Sequence, residues 1–333
     1  MHNMVTDRVS ALSVPGHDER AGFRDLERSI PAHKQKQRAL ACLNTVEVNG
    51  QSTPGLLDFP FNVAAWNLQR GLFPAESAAL LKQENAALVM LSEMDNGMAR
   101  TGQRHPTAEM AEALSMQYAY GVEFIELGLG NTEERPYCRD DFNTKGFHGN
   151  AMMSRVELND AFILPLSGDP IWFLNGGDQP RVGARMAIGA VIETRSGPML
   201  AISTHLESHG DIKTREIQTA DILELADRHF SGLPVLIGGD LNTGNRTGGD
   251  FNRETLFTRA EQKGYLRHSG DSDAITTRQS LISKKDPFPL KLDWFLTRGL
   301  EVGESRIVPA LGDDGTPLSD HDMITCRITG FTN

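Results

Sequence analysis

Cysteine is scarce in this sequence: Cys42, Cys138 and Cys326 are the only three in 333 residues, far apart and without C-x-x-C spacing. That pattern excludes a disulfide framework or a thiolate zinc site and fits reduced, structural thiols in a cytoplasmic protein. Long apolar runs are missing too. No stretch approaches the roughly 20 residues that a membrane helix needs, and the N-terminus has no basic segment followed by an apolar one and a cleavage site. Neither secretion nor stable membrane insertion is expected. Positive charge is in deficit, with 33 Lys and Arg against 44 Asp and Glu, a formal net charge of -11. Such a surface repels polyanions and argues against a non-specific nucleic-acid binder, although a local basic groove would override it. There is no internal repeat and no low-complexity tract.

What is present is the composition of a soluble globular protein, 39% hydrophobic and 23% charged, long enough to bury a substantial core. Residues 1–57 are polar and charge-rich ("HDERAGFRDLERSIPAHKQKQR") with no sustained apolar period. They read as an extension whose removal leaves a folded domain over 58–333. Within that domain "FNVAAWNL" and "ALVMLSEMD" read as buried strands around the helix "PAESAALLKQENA", which has Pro at its start. "PTAEMAEALSM" is a second helix, leading into the strand "YAYGVEFIEL". "ARMAIGAVIE" and "MLAISTHLES", joined by a turn at 195–198, form an antiparallel hairpin, and Asp211 opens the amphipathic helix "DIKTREIQTADILELADRHF". Crossovers mixed with hairpins predict mixed sheets with helices outside them, an α/β layered (α+β) domain.

The informative residues are the polar ones that close these apolar runs. "PVLIGGDLNTGNR" ends a buried strand on Asp240 and Asn242; alone, such a pair serves a turn as well as a reaction. Asn67 closes "AAWNL", Glu93 interrupts "VMLSEMD", His205 follows "AIST", Asp293 sits in "KLDWF", and Asp320 and His321 stand in "LSDHDM". Burying several carboxylates together is costly unless a cation or protons compensate, so their repetition points to one shared site. An oxygen-rich set without thiolate suits a hard divalent ion, Mg²⁺ or Mn²⁺.

The ordered set WN, SE, THL, GGDLN, LDW and SDH resembles the endonuclease/exonuclease/phosphatase superfamily, of which pancreatic deoxyribonuclease is a member, over nearly all of 59–331. The resemblance implies a four-layer, deoxyribonuclease-I-like sandwich of two mixed β-sheets flanked by helices, with the site at one edge. It implies that Glu93 is the main metal ligand, assisted by Asn67 and Asp320. His321 and Asp293 match a histidine-carboxylate pair that prepares the attacking water, and Asp240 and Asn242 match residues that orient the nucleophile and the phosphate. His205 matches a second histidine that protonates the leaving oxygen. "FHGNAMMSR" and "PRVGARMAI" add Asn150 and Arg185 as phosphate contacts, with packing or a surface ion pair as their alternatives.

The expected activity is metal-dependent hydrolysis of a phosphodiester. Because Lys and Arg are dispersed rather than clustered around the motifs, a small or lipid-like substrate is preferred to nucleic acid, and a Mg²⁺-dependent nuclease is the alternative. A non-catalytic relative would be expected to have lost the metal glutamate or the histidine-carboxylate pair, and neither is missing. "PIWFLNGG", from Pro170, is the one stretch that could form an exposed aromatic hairpin for a lipid surface.

Overall fold

Alternation along the central strands separates the layers. In the computed structural model, which describes residues 4–177, 179–283 and 289–332, Val63 and Ala65 face a second sheet, while Ala64, Trp66 and Leu68 face outer helices. A strand with apolar residues in both registers must be covered on both sides, as the sequence pattern implied.

The larger sheet has nine strands. It runs β1 (Arg8–Val9), β2 (Val46–Gly50), β5 (Gln117–Ile125), β6 (Phe147–Ser154), β4 (Ala86–Asn96), β3 (Phe61–Arg70), β15 (Met323–Phe331), β14 (Leu300–Val308), with β8 (Val182–Gly183) beside β5. The smaller sheet has six, in the order β12 (Leu266–His268), β13 (Asp293–Arg298), β11 (Val235–Asp240), β10 (Gly197–His205), β9 (Met186–Thr194), β7 (Leu158–Pro165). Both are mixed: β3 with β4 and β10 with β11 are parallel, and most other neighbours are antiparallel. Helices α3 (Pro74–Gln83) and α4 (Pro106–Leu114) cover the outer face of the larger sheet; α6 (Ile212–His229) and α7 (Thr255–Gln262) cover the smaller. Asp211 caps α6 by accepting from the Thr214 N–H at 2.8 Å, as the sequence suggested.

Two glycines explain part of the GGD signature. A Cβ on Gly238 would stand 2.6 Å from the Met90 sulfur of the facing sheet, and Gly239 has φ +142° with the Thr204 carbonyl oxygen where its Cβ would go. Glycine therefore lets the sheets close together just before Asp240.

The segment ahead of residue 58 is not a detached extension. It supplies β1 and β2 and the helices α1 (His17–Ala21) and α2 (Ile30–Ala39), and buries Leu12, Phe23, Leu40, Leu43, Val46 and Leu57. Short elements spaced by polar residues gave no periodic signal, yet each anchor finds the core. Glu47 is buried with them, accepting from the Tyr118 hydroxyl at 2.7 Å and the Leu12 N–H at 3.1 Å. At roughly 2 kcal/mol per buried apolar side chain, these anchors rival the whole net stability of a domain, about 5–15 kcal/mol. Deleting residues 1–57 is accordingly expected to lower the melting temperature by about 15 °C or to abolish the cooperative transition. An unchanged calorimetric melt of the truncated protein would show instead that the domain begins at residue 58.

The stretch from Pro170 is a short helix, α5 (Ile171–Leu174), rather than a hairpin. Phe173 is fully buried, and Trp172 packs on the Arg181 guanidinium at 4.7 Å. Among the described residues no helix is long and apolar enough to cross a membrane.

Candidate active site

Strand direction gathers the polar residues. β10 and β11 run parallel and end on His205 and Asp240, while β13 runs the other way and begins on Asp293. Register places His205 beside Asp240 and Asp240 beside Asp293, so three residues spread over 89 positions of sequence form one row across the sheet edge. The facing sheet contributes Asn67 from β3, Glu93 from β4, and Asp320 and His321 from the turn that precedes β15.

Local irregularity aims two of these groups. Pairing slips by a β-bulge between Asn67 and Arg70 on β3 and between Leu91 and Met94 on β4. Gln69, Arg70 and Glu93 all take positive φ there, at 43°, 87° and 55°, as does Asn242 at 51°. Non-glycine residues rarely adopt that conformation, and its concentration around one point marks strain held by the surrounding fold.

The hydrogen bonds make the cluster one unit. The Asn67 amide donates to Glu93 Oε1 and to Asp240 Oδ2, each at 3.1 Å. Asp240 Oδ1 accepts the Asn242 N–H at 2.8 Å, and the Asn242 amide donates to the Leu206 carbonyl at 2.9 Å. His321 Nδ1 lies 2.8 Å from Asp293 Oδ2, and its Nε2 lies 3.7 Å from Asp240 Oδ2. His205 Nε2 approaches the same Asp240 oxygen, at 3.6 Å. Asp320 accepts from the Ser283 hydroxyl at 2.9 Å.

Charge is crowded here. Burial pushes the Asp320 carboxyl up to about 6, opposed by His321 and reinforced by Glu93. Burial opposes protonation of His321, but Asp293, Asp240 and Asp320 outweigh it and hold the imidazole well above its usual range. Burial would also raise Glu93; the Arg70 guanidinium, followed by His205 and His148, holds it well below the usual carboxylate value. Asp240, Asp293 and His321 offer ligand atoms within 4.8 Å of one another, and Asp293 Oδ1 is buried with no hydrogen-bond partner. An orphaned carboxylate oxygen beside a second buried carboxylate and an imidazole is a donor set that a cation fits.

Eight of the ten residues expected from sequence thus converge. Arg185 and Asn150 are engaged by partners within the protein. Arg185 is enclosed by the protein: Nη1 donates to Glu123 Oε1 at 2.6 Å and to His205 Nδ1 at 2.8 Å, and Nη2 to the Ser208 hydroxyl at 3.3 Å. Asn150 is fully buried and donates to the Met186 carbonyl at 3.1 Å, tying the two sheets together. Residues that the sequence reading missed include Arg70, which ion-pairs with Glu93, and Glu123, which fixes Arg185. Also missed is the polar stretch after Glu93, which is no solvated loop: fully enclosed Arg100 grips both oxygens of Asp95 at 2.8 Å, and His148 Nδ1 meets Asp95 at 2.9 Å. A charged residue buried opposite a distant partner leaves no local pattern; the one available hint was an unusual density of charge within apolar strands.

The match of residues 64–321 to the family model described as "Endonuclease/Exonuclease/phosphatase family" spans most of the chain. The chain belongs to the endonuclease/exonuclease/phosphatase family. It is therefore a hydrolase of a metal-dependent phosphoesterase superfamily, and the buried Asp240, Asp293 and His321 are a candidate metal site of that family. No curated protein sequence matches it. Solved structures of family proteins share its fold. An endonuclease/exonuclease/phosphatase from Beutenbergia cavernae is 17% identical with a TM-score of 0.58, over 82% of this chain and 72% of its own. The human Nocturnin catalytic domain with a bound sulfate anion is 15% identical, TM-score 0.55, over 86% and 98%. D. rerio TDP2 complexed with a single-strand DNA product is 16% identical, TM-score 0.55, over 81% and 99%.

Proposed function

We propose that this family member hydrolyses a phosphodiester, small or lipid-like, by in-line attack of water, with Mg²⁺ or Mn²⁺ as cofactor. The observation that carries the reading is that two imidazoles with opposite proton placement face one carboxylate. A guanidinium can only donate, so the Arg185 contact makes His205 Nδ1 an acceptor and leaves the proton on Nε2. An ionised carboxylate can only accept, so the Asp293 contact puts a proton on His321 Nδ1. Both Nε2 atoms point to Asp240. One ring therefore presents a donor at the site, and the other, once neutral, presents a base.

In this reading His321 Nε2 takes the proton of the attacking water, Asp293 fixes that ring's tautomer, and Asp240 and Asn242 hold the water and the phosphate. His205 Nε2–H, on a ring that Arg185 keeps neutral, donates a hydrogen bond that stabilises the charge developing on the leaving oxygen, which takes its proton from solvent. Glu93, Asn67 and Asp320, with Asp240 at their edge, would hold the divalent ion. When bound, it supplies Lewis-acid polarisation of the phosphoryl oxygen and positive charge that eases loss of the His321 proton. The test is a panel of small, lipid and oligonucleotide phosphodiesters assayed with Mg²⁺, Mn²⁺ and EDTA. Turnover of small or lipid esters that EDTA abolishes is expected; cleavage of the oligonucleotide alone would make the protein a nuclease.

The donor role of His205 at the leaving oxygen has its own signature. His205→Ala should cut kcat/KM about 100-fold for alkyl esters and only a few-fold for a nitrophenyl ester, whose leaving group needs little protonation. Equal losses across the series would leave His205 as a packing or phosphate-binding residue.

A further inference from the structure

Beside the catalytic cluster lies a cleft of about 530 Å³ with four arginines in its lining, Arg24, Arg70, Arg135 and Arg181. In a chain of net charge -11 that concentration is a local exception. Arg70 joins the two places, because its guanidinium donates to Glu93 on one side and lines the cleft on the other. The buried acids of the lining are engaged with Arg70, Arg181 and Arg100 rather than with Arg24 or Arg135. Glu126 and Glu134 are shared with buried Arg100, at 3.0 and 3.4 Å, as well as with Arg181 at 3.2 Å and Arg70 at 2.6 Å. Asp141 is exposed, and among the described residues it forms no ion pair. Arg24 and Arg135 are likewise exposed and form no ion pair among the described residues.

Both of these free arginines stand on anchored backbone. Arg24 follows fully buried Phe23, and its segment is tied down by Arg20, which donates to the Asn143 carbonyl at 3.0 Å, and by Arg28, which donates to that of Gly177 at 2.8 Å. Arg135 follows Glu134, whose carboxylate holds Arg70 and the Asn131 N–H. Arg24 lies outside the span matched by the family model, whereas the rest of the lining lies within it. Arginine presents a planar fork of donors suited to phosphate oxygens, and the volume is that of a small-molecule pocket.

We propose that this cleft binds a second phosphate group of the substrate, through Arg24 and Arg135, so that the preferred substrate is a phosphodiester carrying at least one further phosphate. The proposal rests on the phosphoesterase reading for the cleaved bond, but the anion site itself does not. A small polyphosphorylated molecule and a short nucleic-acid strand offer the same group, and the cleft's volume, that of a small-molecule pocket, favours the former.

The experiment compares the full chain with Arg24→Ala/Arg135→Ala and with Arg24→Lys/Arg135→Lys. Calorimetry with inorganic pyrophosphate, without added divalent ion, is expected to show Kd rising at least about 10-fold in the Ala pair and partial recovery in the Lys pair. Kinetics with Mn²⁺ should show a similar rise in KM, at constant kcat, for a nitrophenyl phosphodiester that carries a phosphomonoester. Its analogue without the second phosphate should lose no more than about two-fold in kcat/KM. Unchanged pyrophosphate affinity, or equal losses on the two esters, would overturn the proposal. Weakened pyrophosphate binding in a protein that hydrolyses no phosphoester would leave the anion site standing and refute the hydrolase reading. Weakened binding of a trinucleotide with pyrophosphate unaffected would overturn the small-molecule assignment.

Discussion

His321→Ala is expected to lower kcat/KM by about 10³- to 10⁴-fold, equally for alkyl and nitrophenyl phosphodiesters. Preparing the water is common to every substrate, whereas assisting departure matters in proportion to the basicity of the oxygen expelled. Removal of the base therefore gives a flat loss, and removal of the hydrogen-bond donor to the leaving oxygen a sloped one. The geometry makes Asp293→Asn a second reading of the same event. Asp293 Oδ2 meets Nδ1 at 2.8 Å and is fully buried, so it reaches substrate only through the ring. Its amide analogue can present either a donor or an acceptor to Nδ1, and the tautomer with a free Nε2 is no longer enforced. The flat profile should recur, together with a shift in the pH at which kcat/KM rises, because His321 loses one of the carboxylates that hold its proton. The measurement is kcat/KM across a graded ester series and across pH. A loss confined to poor leaving groups would reverse the roles given to the two histidines.

Glu93→Gln is the other large effect. It should weaken Mn²⁺ or Mg²⁺ binding at least about 10-fold by titration calorimetry and reduce kcat about 1,000-fold, since a hard ion loses an anionic oxygen. The fold should survive. Glu93 is partly exposed, with a side chain at 20%, and Arg70 keeps its second partner, Glu134, at 2.6 Å. A modest stability cost is expected, and its sign with pH follows from the ionisation. The folded carboxyl lies well below its unfolded value of about 4.3, so the wild-type advantage is present above that pH and fades as pH falls through the folded pKa. Unchanged metal affinity would move the ion away from Glu93, towards the Asp240, Asp293 and His321 group, which could also hold one.

The two assignments differ in how the sequence exposed them. GGD before Asn242 was legible because close sheet approach demands glycine there, and a carboxylate follows at the strand end. Glu93 was legible as an anomaly, an acid inside "LVMLSEM", although the bulge that swings it into the site was not. Arg185 was legible only as an arginine entering a strand. Its enclosure depends on Glu123, 62 residues away in the facing sheet, and on Glu207 just past β10. The segment before residue 58 left its order unreadable for a related reason. Its apolar anchors are single residues on short elements, and hydrophobic periodicity needs several turns or strand repeats to register.

The sequence by itself determined the layered mixed-sheet architecture, through two-residue alternation, capped helices and a turn at 195–198, and it determined which polar residues close the strands. Each of those signals is local, written within a dozen positions. Tertiary structure alone decided which nitrogen of each histidine carries the proton and that Arg70 bridges Glu93 to an arginine-lined cleft. It likewise decided that residues 4–57 belong to the core, because these depend on distances between atoms that no local pattern encodes.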